Sequence, residues 1–175
     1  MLPKKTLTET KSRTKTAEQA LAALMRLCAR AEKCEGDARR LLRRWGVADG
    51  EAAKALERLV RERFIDDRRY AAMFVREKLH LSGWGVYKIR TALHRKEIAR
   101  ELIDEALEGL DRDRMGERLR EQLQRKLRTT KAKNGYELRN KLFRYGLSLG
   151  YEFEQVREAI DHIQLPTDED SCDDF

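Results

Sequence analysis

The chain has 175 residues, of which 39% are charged and 41% hydrophobic, and it carries a formal net charge of +7. This length allows one domain or a short array of small units, and the large apolar residues exclude a fully disordered chain. No apolar run approaches the roughly 18 residues that a membrane-spanning helix needs, and the N-terminus lacks the apolar core of a secretory signal. We therefore expect a cytoplasmic protein that does not enter a membrane.

Helix-forming residues dominate the interior of the chain. Proline occurs only as Pro3 and Pro166, near the two ends. Because proline disrupts helix interiors, the proline-free body, rich in alanine, leucine, arginine and glutamate, is predicted to be nearly all helix. Thr16 and Gln19 have the spacing of a capping box, which predicts the start of the first helix. Residues 1–16 are mostly polar and basic, and we expect them to form a flexible basic tail.

The first unit is predicted to span residues 17–66 as three helices. Gly36 is expected to interrupt the chain before a second, short helix at about 37–45. Gly46 is predicted to end that helix in the left-handed conformation that glycine adopts without strain. Asp49 is predicted to cap the third helix.

The second unit is predicted to span residues 67–111, again as three helices. Asp66 and Asp67 lie at the start of its first helix, where carboxylates accept free backbone amides. Helix capping therefore explains this pair better than a paired-carboxylate catalytic site does. A turn is predicted at 82–85, where two glycines flank Trp84.

The third unit, residues 112–164, is predicted to be the most basic. It holds 13 lysines and arginines against eight acidic residues, a net charge of +5. Asn134 and Glu137 predict a capped helix start after a loop. Residues 165–175 carry five acidic residues and no basic one, and we expect an acidic, disordered tail there.

A pattern of apolar residues returns three times at nearly constant spacing. Without gaps, residues 42–47 align with 93–98 and 146–151, and the next apolar positions align as Leu56, Leu107 and Ile160 and then as Leu59, Leu110 and Ile163. A period of roughly 50 residues is typical of stacked supersecondary units, none of which buries its apolar face alone. The predicted fold class is therefore all-α, with three tandem three-helix repeats in an elongated array.

Two positions depart from this repeat pattern. Glu97 aligns with Gly46 and Gly150, so the second helix of the second unit is predicted to stop without a left-handed glycine. Gly146 occupies a position where the other units have leucine. We expect it to leave a shallower third core unless a neighbouring leucine fills the space.

Three histidines and three cysteines are the candidate metal ligands and nucleophiles. They are His80, His94, His162, Cys28, Cys34 and Cys172. The histidines share no helical face with cysteine or carboxylate partners at ligand spacing, and the cysteines include no CxxC pair. The sequence also lacks a phosphate-binding glycine loop and a nucleophile elbow. We therefore expect no catalytic residue, no metal site and no cofactor.

Three segments of the chain together resemble a known family. They are Phe-Ile-Asp-Asp-Arg-Arg-Tyr-Ala at 64–71, Gly-Trp-Gly-Val-Tyr-Lys-Ile-Arg at 83–90 and Lys-Leu-Phe-Arg at 141–144. In order and spacing they resemble the RecX family of bacterial recombinase regulators, and the likeness runs from about residue 18 to 163. The resemblance implies three tandem three-helix repeats. It also implies a protein that binds the RecA recombinase filament on single-stranded DNA and limits filament assembly, ATP hydrolysis and strand exchange, thereby restraining recombination and the SOS response.

The candidate partner-binding residues are all basic. They lie on the second helix of each unit and on a run at the end of the third unit's first helix and in the loop after it: Arg39, Arg40, Arg43, Arg44, Lys88, Arg90, Arg95, Lys96, Arg125, Lys126, Arg128, Lys131, Lys133, Arg139, Lys141 and Arg144. On stacked equivalent helices such charges could form one stripe facing phosphates or acidic patches. The open alternative for each residue is a solvated face with ion pairs inside its helix.

Composition and resemblance together favour a non-enzymatic regulator, expected to be a monomer, that binds in the groove of the recombinase filament. The alternative is a helical nucleic-acid-binding module that acts directly on bare DNA. A third reading is a scaffold whose charge only keeps it in solution. The three readings differ in their expected effect on recombinase ATP hydrolysis and in the salt dependence of DNA binding.

Overall fold

The computed structural model describes residues 14–164, and the described chain forms nine α-helices without a strand. The helices are α1 (Ala17–Cys28), α2 (Glu35–Arg44), α3 (Asp49–Arg61), α4 (Asp67–His80), α5 (Val86–Arg95), α6 (Arg100–Leu107), α7 (Arg112–Thr129), α8 (Gly135–Ser148) and α9 (Phe153–Asp161). The all-α prediction is confirmed. The predicted basic tail, except for its last three residues, and the predicted acidic tail lie outside the described residues.

The helices repeat in threes with the period found in the sequence. In the ungapped alignment the third helices α3, α6 and α9 begin at equivalent positions, Asp49, Arg100 and Phe153. The second helices α2, α5 and α8 end at equivalent positions as well. The predicted tandem three-helix repeats are therefore confirmed. By its internal contacts the chain divides into two compact units, which are distinct from the three predicted units; those three are called repeats from here on. The two compact units are unit 1 (Met1–Tyr70) and unit 2 (Ala71–Phe175).

The described part of unit 1 has a single apolar core. Leu24 of α1, Leu42 of α2 and Leu59 of α3 are fully buried, and Ile65 closes the core after α3. The capping box at the start of α1 is confirmed, because the Gln19 amide donates to the Thr16 hydroxyl at 3.2 Å.

Two predicted helix starts in unit 1 are wrong. Gly36 does not interrupt the chain; it is buried in the first turn of α2, which begins after Cys34. The Cys34 sulfur accepts from the Asp37 amide at 3.4 Å and so serves as the cap. Asp49 is the first residue of α3 rather than its cap, and Ala48 precedes it without a side-chain hydrogen bond. An acidic residue in a first turn still complements the helix dipole.

The two adjacent aspartates at the start of α4 have different partners. Asp66 accepts from the Arg69 amide at 3.0 Å, so its predicted capping role is confirmed. The prediction for Asp67 is wrong, since its carboxylate accepts from the Glu35 amide at 2.9 Å and thus caps α2. Burial raises the pKa of Asp67, and this hydrogen bond acts in the opposite direction.

The chain turns left-handed at the same point of each repeat. Gly46 has φ +70°, Glu97 has φ +64° and Gly150 has φ +88°. The repeat geometry is therefore kept even where the glycine is missing, whereas the sequence indicated only that this helix ends without a glycine. The left-handed conformation costs a residue with a Cβ about 1–2 kcal/mol of conformational free energy, so the backbone at Glu97 is strained.

Relief of this strain should stabilise unit 2. We expect Glu97→Gly to raise its free energy of unfolding by about 0.5–1 kcal/mol, because the strain at a left-handed residue exceeds the entropy cost of glycine. Urea unfolding measures the change. The same substitution in an ordinary helix, Glu121→Gly in α7, should instead lower the free energy by about 1 kcal/mol. A loss of stability in both variants would contradict the strain at Glu97.

Unit 2 buries residues from the second and third repeats. Ile89 and Ile103 are fully buried in the second, and Leu123, Leu142 and Ile160 are fully buried in the third. The helix pairs α5 and α6, α7 and α8, α8 and α9, and α7 and α9 are in contact.

The expectation of a shallower third core is wrong. A methyl group added to the buried Gly146 would lie 2.7 Å from the Val156 Cγ1. Because Gly146 has no side chain, α8 and α9 pack closely at this point, and no space is left to fill. Leu149 is buried beside this contact, whereas Leu147 points outward.

Candidate partner-binding surface

The basic residues of α2 share their helix with acidic ones. Arg39 lies 3.6 Å from Glu35, and Arg40 lies 2.6 Å from Asp37. Arg43 and Arg44, one turn further on, are exposed. The positive charge of α2 is thus partly neutralised within the helix, and such pairs each contribute about 0.2–0.5 kcal/mol to helix stability.

The basic residues of α5 are largely engaged inside unit 2. The Lys88 ammonium donates to the Ser148 carbonyl at 2.9 Å and lies 4.7 Å from the centre of the Trp84 ring. The Arg90 guanidinium pairs with Asp104 of α6. Arg95 and Lys96 form the C-terminal end of α5, where cations complement the helix dipole.

On α8 two of the three predicted residues form ion pairs. Arg139 pairs with Asp161 of α9. Lys141 lies 2.7 Å from Glu137 and also donates to the Lys131 carbonyl at 2.8 Å, which holds the preceding loop against α8. Arg144 is exposed on the same helix.

These ion pairs change the titration of their carboxylates. Hydrogen bonds from the guanidinium groups hold the pKa of Asp104 and the pKa of Asp161 below the usual value. The pKa of Glu137 is lowered by hydrogen bonds from the Lys141 side chain and from the Lys133 amide. The carboxylates therefore remain ionised and continue to neutralise the basic residues that face them.

A different situation holds at the end of α7 and in the loop after it. Residues 125–133 hold five basic residues and no acidic one. We call this set the repeat-three cluster: Arg125, Lys126, Arg128, Lys131 and Lys133. All five are exposed. Within residues 14–164 none of their side chains forms an ion pair, although the Lys126 ammonium lies 5.4 Å from the Tyr145 ring centre.

The loop end of the repeat-three cluster is fixed to α8. The loop is anchored on α8 through the Lys141 contact with the Lys131 carbonyl and through the Lys133 amide, which donates to Glu137 at 2.8 Å. Asn134 caps α8 by accepting from the Glu137 amide at 2.8 Å, as predicted. Since the backbone carries these contacts, the charged side chains stay available to a partner.

A joint between the second and third repeats escaped the sequence analysis. The Gly85 amide donates to the Leu149 carbonyl at 2.8 Å, and the Tyr87 amide donates to the Gly150 carbonyl at 3.2 Å. These contacts satisfy amides at the start of α5, which no side chain caps. The segment 83–90 was part of the family resemblance, but nothing in the sequence indicated which carbonyl groups accept hydrogen bonds from its amides.

Two polar residues of α7 complete this joint. The Arg118 guanidinium donates to the Leu79 and His80 carbonyls at 2.8 and 2.9 Å, which satisfies the end of α4. The Gln122 side chain donates to the Gly83 carbonyl at 2.9 Å. Both residues line a groove of about 610 Å³ between the end of α4 and α7. Both side chains form hydrogen bonds within the fold, so the groove is a feature of the joint.

Two other features are absent from the described residues, a metal-binding cluster and a membrane-spanning helix. Across 14–164, no group of three or more His, Cys, Asp or Glu side chains is placed to hold a metal ion. In the same part of the chain, no helix is both long and apolar enough to cross a membrane.

The repeated triplets and the exposed repeat-three cluster define a tandem-repeat protein with an exposed basic surface in its third repeat. Two family models match the chain. They are the second three-helix domain of RecX, over residues 66–107, and the third, over residues 114–160.

Curated relatives agree with these models. A regulatory protein RecX of Clostridium beijerinckii is 31% identical over 161 residues, which cover 91% of this chain and 73% of the relative. One from Clostridium botulinum is 33% identical over 131 residues, or 73% of this chain. The chain belongs to the RecX family. It spans only 60% of the length of the Clostridium botulinum relative.

Solved structures share the fold. A crystal structure of regulatory protein RecX matches with a TM-score of 0.76 at 20% identity, over 83% of this chain and 73% of that one. The RecX structure from Lactobacillus salivarius matches with a TM-score of 0.67 at 18% identity, over 83% of this chain and 94% of that one. The relatives are named as regulatory proteins, not as enzymes.

Proposed function

We propose that this protein binds the RecA recombinase filament on single-stranded DNA and inhibits filament assembly, ATP hydrolysis and strand exchange. It would thereby modulate DNA repair and the SOS response in the cytoplasm. Membership of the RecX family supports this function at the level of a regulator. The structural observation that supports this function is the repeat-three cluster. Its five basic side chains are exposed and form no ion pair among the described residues.

A basic surface of this kind suits a filament because the filament repeats its own charges. Any acidic group or phosphate that a filament exposes recurs at each protomer, so several weak contacts can act together when one chain carries them. Each exposed pair alone contributes at most about 1 kcal/mol. Inhibition would follow if bound chains hinder the addition and loss of protomers.

The test is a titration of recombinase ATP hydrolysis on single-stranded DNA. We expect the rate of hydrolysis to fall progressively as this protein is added. A rate that stays constant at every ratio would contradict the function and leave a scaffold without regulatory effect. Denatured protein at the same concentrations serves as the control for nonspecific loss of recombinase.

Direct binding to bare DNA is the second candidate, and the absence of acidic residues from 125–133 favours it. Five lysines and arginines could contact phosphates and release counterions, which makes affinity fall steeply with salt. Affinity for naked and for recombinase-coated strands should be compared across salt concentrations. Equal affinities with the same steep salt dependence would favour this candidate over filament binding.

A further inference from the structure

The third repeat exposes apolar side chains beside its basic cluster. We call Phe143, Leu147 and Phe153 the repeat-three apolar patch. The Phe143 and Phe153 rings meet edge to face with their centres 4.7 Å apart. Leu147 follows one turn after Phe143 on α8 and is 41% exposed, and Phe153 is 57% exposed. A contiguous apolar surface rimmed by charges is typical of a protein-interaction site.

The fold itself does not require this patch, as the other two repeats demonstrate. In the ungapped alignment, Phe143 corresponds to Arg39 and Arg90, Leu147 to Arg43 and His94, and Phe153 to Asp49 and Arg100. The same three outward positions are polar or charged in two repeats that have the same helices. Their apolar character in the third repeat therefore serves something other than the core.

The patch continues toward the repeat-three cluster along α8. Tyr136 is 77% exposed and lies seven residues before Phe143, on the same face of the helix. From Tyr136 to Leu147 this face extends about 16 Å at 1.5 Å per residue. Tyr136 directly follows the loop that carries Lys131 and Lys133. The exposed apolar residues of α8 and the exposed cations of the preceding loop thus follow one another along the third repeat.

This combination fits a protein better than a nucleic acid. Bases bind by stacking on open ring faces, but the edge-to-face contact of Phe143 with Phe153 covers a ring face. Leu147 offers no ring at all. A protein segment can place an aliphatic or aromatic side chain on the patch and acidic side chains on the cluster, and buried anchors of this kind dominate interface energies.

We propose that the repeat-three apolar patch anchors a protein segment that carries an apolar side chain next to acidic residues. The inference rests on the proposed function and deepens it, since the segment would lie on the recombinase filament. The patch would supply contacts that are insensitive to salt, and the repeat-three cluster would supply those that salt weakens.

The test compares variants of the patch for binding to recombinase-coated and to naked single strands. We expect the double variant Leu147→Ser/Phe153→Ser to bind coated strands roughly 30-fold more weakly, because each lost anchor costs about 5-fold or more. Its affinity for naked strands should stay unchanged. Val60→Ser, at an exposed position of α3 that is 40% accessible, is the matched control and should bind like the wild type.

The sign of the partner's charge is tested at Leu147 alone, which leaves the phenylalanine pair intact. Leu147→Glu should weaken binding to coated strands about tenfold more than Leu147→Lys, because only glutamate repels an acidic segment. Thermal unfolding of both variants verifies that they are folded, and equal effects of the two would contradict an acidic partner.

Other outcomes separate this inference from the proposed function. If the double variant bound coated strands like the wild type and still inhibited hydrolysis, the proposed role of the patch would be overturned, whereas the proposed function would stand. A parallel loss of affinity for naked strands would overturn it in favour of a nucleic-acid site. A dimeric wild type that becomes monomeric in the double variant, with filament affinity unchanged, would overturn it in favour of self-association. A wild type that binds no coated strand would overturn both.

Discussion

Replacement of Gly85 by alanine is expected to destabilise unit 2 by about 3 kcal/mol or to prevent it from folding, because overpacking at a rigid contact is not relieved by side-chain rotation. An added methyl group would overlap the Gly150 carbonyl and lie 2.6 Å from the Tyr151 amide nitrogen. Both groups belong to the backbone, so the repeats would have to move apart. That movement would also break the hydrogen bond from the Gly85 amide to the Leu149 carbonyl.

Urea unfolding measures this effect, and α7 provides the matched control. At Gly116 an added methyl group meets nothing within 4 Å. Gly116→Ala should therefore raise the free energy of unfolding by about 0.5–1 kcal/mol, since alanine favours a helix interior. If Gly85→Ala left the stability unchanged or raised it, the joint between the second and third repeats would not be as close as the structure has it.

The sequence predicted the parts of the fold that depend on neighbours along the chain. Capping by Thr16 and by Asn134 involves residues three apart, and the left-handed turn at Gly46 follows from the residue itself. The repeat period was visible for the same reason, because each triplet obeys the same local pattern. Asp67 was misassigned because its partner, the Glu35 amide, lies 32 residues away and becomes a neighbour only after folding.

The sequence predicted which basic residues belong to the candidate surface, but it did not predict all of the ion pairs that they form. The pairs Arg39 with Glu35 and Lys141 with Glu137 follow from helical spacing. The pairing of Arg90 with Asp104 depends on how two helices pack. Helical spacing therefore accounts for the ion pairs within one helix, and helix packing decides those that join two helices.

Reversal of the charge at Lys131 and Lys133 is expected to weaken inhibition of recombinase ATP hydrolysis by tenfold or more, if the repeat-three cluster contacts the filament as proposed. Both side chains are exposed and without an ion pair in the described chain. Their replacement by glutamate removes two attractive contacts and adds two repulsive ones, and like charges in an interface cost several kcal/mol. The concentration that halves the hydrolysis rate measures the change.

The control variant reverses Lys54 and Arg58, which alters the net charge from +7 to +3 just as the first reversal does. Lys54 already lies 3.0 Å from Glu51, and Arg58 lies 2.8 Å from Glu62. These cations pair with acidic residues of their own helix or its end. Their reversal should cost about 1–2 kcal/mol of stability, from two lost pairs and two new like-charge pairs, and should change inhibition less than twofold. Because the two variants carry the same net charge, a difference between them must come from where the charge lies. Equal losses of inhibition would mean that the repeat-three cluster acts only through the total charge, and the proposed surface would be wrong.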